Sequence, residues 1–182
     1  MKNENLRLAG KEVYLRYPNE RDFAELSALF ISSKKHFKGL AQPPSDKMGF
    51  ETMLAANLSD TTELFLICRL SDNAIVGTIT LSQIFRRGFQ NVYLGYLLGA
   101  AFTGKGYMTQ AVELILGFAF KSLKLHRIEA NVQPHNEPSL AVLRRNGFTK
   151  EGFSRRYLKI GGRWRDHERW AIICEDWKQT KR

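Results

Sequence analysis

The chain has 182 residues and carries 28 Lys and Arg against 18 Asp and Glu, a formal charge of +10 with neutral His. With 43% hydrophobic and 12% aromatic residues it can bury a core, and its length suits one domain over residues 1–182. No apolar run approaches the roughly 18 residues that span a bilayer, and residues 1–6 show no apolar stretch behind their charge. The composition therefore argues against a membrane span, a secretory leader and a disordered chain.

In chain order, residues 13–17 alternate as a strand does, and Pro18-Asn19 ends the run. Residues 20–33 place Phe23, Leu26, Leu29 and Phe30 at helical spacing, and Ser45 can cap a second helix carrying Met48, Met53, Leu54 and Leu58. Residues 64–70 and 74–84 are rich in β-formers and are joined by Ser71-Asp72-Asn73, a hairpin pattern. Arg86-Arg87-Gly88 marks a second turn before a strand at 92–98. Past Gly99, a glycine-containing stretch leads into a helix that reaches about Leu123, with Val112, Ile115, Leu116, Ala119 and Phe120 on its apolar face. Residues 127–132 read as a strand, 134–138 as a breaker, and 139–145 as a short helix stopped at Gly147. Two last strands, 153–160 and 164–173, flank Gly161-Gly162. The order β-α-α-β-β-β-α-β-α-β-β predicts an α+β fold, a mixed sheet with helices on both faces.

Cys68 and Cys174 lie in strand-like apolar runs, and two thiols make no disulfide framework. Buried free cysteines in a reducing, cytoplasmic setting are expected. The charge is uneven: from Lys121 onward there are 15 Lys and Arg against 7 Asp and Glu. A solvated basic face and an acidic partner both account for that excess.

The strand, glycine loop and helix around Gly104-Lys105-Gly106 form the sharpest local feature. Glycines let backbone approach an anion, and the free N–H groups of the following helix end direct partial positive charge at it. Lys105 adds a mobile cation. The loop lacks the third glycine of a dinucleotide fingerprint and the Gly-Lys-Ser/Thr ending of a nucleotide P-loop. Asn136 and Ser139 stand three apart at the start of the short helix. One reading is capping, with Pro138 in the first turn; the other is that both project toward the mouth of the glycine loop, since both follow strand ends. None of His36, His126, His135 and His167 stands three or four positions from another His or a Cys, so no metal site is expected. Trp164-Arg165-Asp166-His167 either lines a groove or simply alternates along a half-buried edge strand.

Tyr93-Leu94-Gly95-Tyr96-Leu97-Leu98-Gly99 followed by Thr103-Gly104-Lys105-Gly106-Tyr107-Met108 resembles the acetyl-CoA motif of the GCN5-related N-acetyltransferases, the GNAT superfamily. The run from His126 to Val132, Pro134-His135-Asn136, Ser139 and Asn146-Gly147-Phe148 is similar to the second half of that motif. Phe85-Arg86-Arg87-Gly88-Phe89, Glu151-Gly152, Tyr157-Leu158 and Gly162-Arg163-Trp164-Arg165-Asp166-His167 resemble the RimJ branch of the Rim-type ribosomal-protein alanine N-acetyltransferases.

The resemblance implies a single-domain GNAT fold whose mixed, mostly antiparallel sheet splays at two central parallel strands, 92–98 and 127–132. The pantetheine arm of acetyl-CoA, the co-substrate, would insert there beside Leu97 and Leu98. Backbone N–H groups of Thr103, Gly104, Lys105, Gly106, Tyr107 and Met108 would hold the pyrophosphate, and Asn136 and Ser139 would contact the pantetheine end near the sulfur. The Leu98 amide would donate to the oxyanion, and Ser139 would protonate the departing thiolate. Tyr93 stands where many relatives carry a glutamate base; with Trp164 and Asp166 it would face the acceptor. The family usually has Arg or Gln at the position of Thr103, and Gly or Ala is common at that of Met108.

The missing base suits a chain-terminal amine, with pKa about 8, better than a lysine at about 10.4. The implied reaction is acetylation of an N-terminal alanine, on a small-subunit ribosomal protein. A small-amine acetyltransferase acting on a polyamine or an antibiotic is the alternative enzyme, and a ribosome- or RNA-binding module with this fold is the alternative from another class. Arg144, Arg145, Lys150, Arg155, Arg156, Lys159, Arg163 and Arg165 would bring the basic C-terminal third near ribosomal RNA. No membrane partner is expected, and the protein would be a monomer or homodimer.

Overall fold

The computed structural model describes residues 6–41 and 43–179. The expectation about a leader falls on residues 1–5, outside the described residues. The strands are β1 Arg7–Ala9, β2 Val13–Arg16, β3 Thr62–Arg69, β4 Ile75–Ser82, β5 Asn91–Leu98, β6 Arg127–Val132, β7 Thr149–Ile160 and β8 Arg163–Ile173. The helices are α1 Phe23–Ser32, α2 Lys34–Phe37, α3 Lys47–Asn57, α4 Tyr107–Gly117, α5 Glu137–Arg145 and α6 Cys174–Gln179. The strands form one sheet in the order β1-β2-β3-β4-β5-β6-β8-β7, antiparallel throughout except for β5 against β6.

Strand alternation divides the interior into two cores, one on each face of the sheet. Val13, Leu15, Phe65, Ile67, Val92, Leu94 and Ile128 pack with α4, Leu140 and Leu143 of α5, and Trp177 of α6. Tyr14, Leu66 and Cys68 point the other way and pack with Leu26, Leu29 and Phe30 of α1, Phe37 of α2 and Phe50 of α3. Helices therefore cover both faces, as the element order predicts. The apolar stripe read on the fourth helix is buried throughout; its last turn, Phe118–Ser122, widens to a π-helix.

Several details differ from the sequence reading. The cap of α3 is Asp46, whose carboxylate accepts from the N–H of Gly49 at 2.7 Å, while the carbonyl of Ser45 is taken by the hydroxyl of Ser27. Asp and Ser cap equally well, so residue type alone does not choose between neighbours. Cys174 is not in a strand: its N–H closes the ladder onto the carbonyl of His126, and the chain then coils to bury Trp177 against Phe120. Strand β7 starts at Thr149, four residues earlier than its apolar content suggests, because its pairing with β8 rather than its burial defines it.

Candidate active site

Strands β5 and β6 pair only over Asn91↔Arg127, Val92↔Ile128 and Tyr93↔Glu129, although β5 runs on to Leu98 and β6 to Val132. Beyond Tyr93 the two strands part. On its other side β5 stays paired with β4 out to Gly77↔Leu98, and the next N–H, of Gly99, donates to Val76 at 2.9 Å. Because antiparallel bonding alternates, the N–H of Leu98 is turned away from β4, into the gap between β5 and β6. Gly77 makes this close approach possible: a Cβ there would lie 2.2 Å from the carbonyl oxygen of Leu97.

The chain leaving β5 makes a 3-10 turn, Ala100–Phe102, and Thr103 closes it by donating its hydroxyl to Ala100 at 3.0 Å. Gly104 and Gly106 both take positive φ, 76° and 78°, with no atom within 4 Å of where a Cβ would stand. This left-handed pair is what sends the backbone straight into α4, whose cap Gly106 offers no side chain to the first helical N–H groups. Tyr107 and Met108 bury their side chains in the core, so only their backbone faces outward. Lys105 stands exposed, 5.9 Å from the ring of Phe102, and Arg69 lies 5.3 Å over the same ring. Free amides, open glycines and Lys105 fit a pyrophosphate.

Across the gap, Asn136 caps α5 and accepts from the N–H of Ser139 at 3.4 Å, so the capping reading holds. The carbonyl of Ser139 accepts from the phenol of Tyr96 at 3.3 Å, a contact between β5 and α5 across the splay. Burial pushes the Tyr96 phenol up to about 12, so it stays protonated and remains a donor. Sequence spacing did not single out Tyr96; its phenol finds Ser139 only once the sheet is assembled.

On the α1 face, Tyr93, Gly95 and Leu97 alternate along β5. Leu97 packs on the α1 core, and Gly95 has open space above it. Burial raises the Tyr93 phenol above its ordinary range, with Glu129 and Tyr157 adding to the effect. Glu129, opposite Tyr93 on β6, accepts from Arg127 at 2.8 Å, and Arg127 also pairs with Glu151. The sequence showed no carboxylate near Tyr93 because this one arrives from the parallel neighbour. His167 is buried at 2% exposure behind Tyr157, ring centroids 6.0 Å apart, and its Nδ1 donates to the carbonyl of Arg165 at 3.0 Å. Burial holds its imidazole below the usual histidine range.

The hairpin of β7 and β8 overhangs the end of β6, since Glu168 is already opposite Val132. It carries Trp164, 60% exposed, and Asp166. The Asp166 carboxylate accepts from the N–H of Arg156 at 2.7 Å, where the register slips and Arg156 takes positive φ. Trp164 and Asp166 thus lie at the splay's end of the sheet, on the hairpin whose Tyr157 interacts with Tyr93. Among the described residues no group of three or more His, Cys, Asp or Glu clusters as metal ligands would, and no helix is long and apolar enough to cross a membrane.

Residues 12–149 match the family described as acetyltransferase (GNAT) domain. The chain is 48% identical over 180 residues to a probable N-acetyltransferase, YjcK, of Bacillus subtilis, covering 94% of this chain and 99% of that one. It is 31% identical over 181 residues to the ribosomal protein uS5 alanine N-acetyltransferase of Escherichia coli, covering 94% and 93%. The structure of Mycobacterium smegmatis RimJ in complex with CoA-disulfide superposes with a TM-score of 0.83 at 30% identity, covering 90% of this chain and 82% of that one.

Proposed function

This chain belongs to the acetyltransferase (GNAT) family and is an acetyl-CoA-dependent N-acetyltransferase, and from that premise we propose that it acetylates the α-amine of an N-terminal alanine on a small-subunit ribosomal protein. The observation that carries this reading is the splay. It opens on the α1 face at Gly95, beside Tyr93, while α4 and α5 fill the other face. Similarity over 94% of the chain to the uS5 alanine N-acetyltransferase supports the choice of acceptor.

Acetyl-CoA supplies an acetyl group activated as a thioester. Thr103, Gly104, Lys105, Gly106, Tyr107 and Met108 hold the phosphates through backbone N–H groups and the Lys105 ammonium, and the backbone of Leu97 and Leu98 lines the inserted arm. The amine forms its C–N bond as the C–S bond breaks, and the Leu98 N–H donates to the carbonyl oxygen while charge develops there. A terminal amine with pKa about 8 is neutral roughly a tenth of the time at pH 7, so positioning is the main contribution. Its proton moves through water past Tyr93 toward Glu129. Ser139, placed by Asn136 and Tyr96, passes a proton to the departing sulfur and regains one from solvent water, while the amine's proton leaves through Glu129 to solvent. Trp164 and Asp166 shape the overhanging wall of the acceptor side.

The exposed Arg155, Arg156, Lys159 and Arg163 of the same hairpin support a position close to ribosomal RNA in the cytoplasm. Thiol release from acetyl-CoA tests the acceptor. We expect it with peptides beginning with Ala, and not with N-blocked peptides containing lysine or with polyamines. Release with the lysine peptide but not the free terminus would overturn this reading.

A further inference from the structure

We propose that the acceptor site takes an N-terminus followed by carboxylate-bearing residues, an acidic peptide selected by a basic strap over its mouth. This rests on the acetyltransferase reading above and narrows its substrate. No Asp or Glu occurs between Glu25 and Asp46, whereas Lys34, Lys35, His36 and Lys38 fall within five positions.

The backbone carrying them is pinned at three points. The Ser33 hydroxyl accepts from the N–H of Ala100 at 2.9 Å, just past β5. Phe37 is buried at 4% exposure, edge-on to Phe30 with ring centroids 6.0 Å apart. The Gly39 carbonyl accepts from the side-chain amide of the buried Gln133 at 2.8 Å, just past β6. The strap therefore crosses the ends of both splayed strands. It lies on the α1 face, since Phe37 shares a core with Leu26, Phe30 and the neighbouring Leu97. The opposite face is closed by α4 and α5, so an acceptor approaching Gly95 passes the strap.

Lys34, Lys35, His36 and Lys38 are all exposed, and none forms an ion pair among the described residues. The carboxylates at this end are engaged: Glu137 with Arg144 at 3.5 Å, and Asp166 with the hairpin backbone. An unneutralised set of cations on a fixed backbone attracts an acidic segment and repels a polyamine.

The test measures binding rather than turnover. Short peptides beginning with Ala and labelled at the C-terminus, with acidic, neutral or basic residues after the first, are titrated by fluorescence anisotropy into the full chain with CoA. The acidic peptide is expected to bind about tenfold tighter than the neutral one at low salt. The difference should close at about 1 M salt, where the Debye length is near 3 Å. In the triple variant Lys34→Glu, Lys35→Glu, Lys38→Glu the order should invert, with KM for acetyl-CoA unchanged. Equal binding of acidic and neutral peptides by the wild type overturns the strap, as does an unchanged order in a folded triple variant. Loss of ribosomal RNA binding in that variant with the peptide order intact also overturns it. The salt series needs no variant. Ordered binding without acetylation sinks the acetylation target and leaves the strap; acetylation without charge order sinks only the strap.

Discussion

Ser139 has two partners that keep it still: the Asn136 side chain and the Tyr96 phenol both bond its backbone, and the phenol also engages its side chain. We propose the hydroxyl, held beside that phenol, as the group that transfers the proton. Ser139→Ala should lower kcat at saturating acetyl-CoA by about tenfold or more; an unchanged kcat removes Ser139 as the acid. Glu129→Gln keeps the shape of the Arg127 contact and should lower kcat by about tenfold with peptide acceptors, measured against an unchanged KM for acetyl-CoA. Gly95 invites a different substitution. Its surroundings are open, so Gly95→Leu should fold normally yet raise KM for the peptide while acetyl-CoA binding persists. Equal peptide kinetics would show that acceptors do not cross Gly95. Of these residues, Ser139 was legible from its spacing to Asn136, and Gly95 only as part of a motif. Glu129 was legible as a strand residue and not as a neighbour of Tyr93, because strand pairing decides which residues face each other.

The glycine loop and α4 work as one element. Gly106 caps the helix at φ 78° and leaves its first N–H groups unpaired by any side chain, which is the same property that suits it to an anion. Gly106→Trp should abolish acetyl-CoA binding, read by calorimetry, while the far-UV circular dichroism spectrum stays native. Retained affinity would count against the loop. By contrast Gly77, in mid-strand, is a packing requirement. Gly77→Ala pushes a methyl into the Leu97 carbonyl and should cost ~2 kcal/mol of stability, seen in denaturant unfolding. The sequence marks the loop because positive φ at two close positions needs glycine. It is silent on Gly77, whose constraint comes from a strand 21 positions away in pairing register.

The buried His167 is expected to couple the stability of the protein to pH. Its imidazole is buried and held below the ordinary range, so the unfolded chain takes up the proton first as pH falls. Stability is therefore present above the unfolded pKa of about 6.5 and declines below it. Glu151, held low by Arg127, adds a loss at more acid pH, again as its carboxylate is protonated. The melting temperature should fall between about pH 7.5 and pH 5.5, and fall less in His167→Gln. An identical pH dependence in the variant would move the effect to another group.

Local chemistry already determined the longer helices and strands, the glycine loop and the Asn136 cap, since each is set by residues within a few positions: periodicity, left-handed backbone, a capping side chain. The family motif followed from those same local runs. The short β1, α2 and α6 were not legible in that way. Tertiary structure alone decided the rest. The gap between β5 and β6 exists because pairing stops after three residues while both strands continue. The strap over it is tied by bonds between residues 67 and 94 positions apart. The carboxylate beside Tyr93 comes from a different strand. Long-range pairing has no local signature in a single chain, and it is long-range pairing that turns a legible anion loop into a site with a cofactor side and an acceptor side.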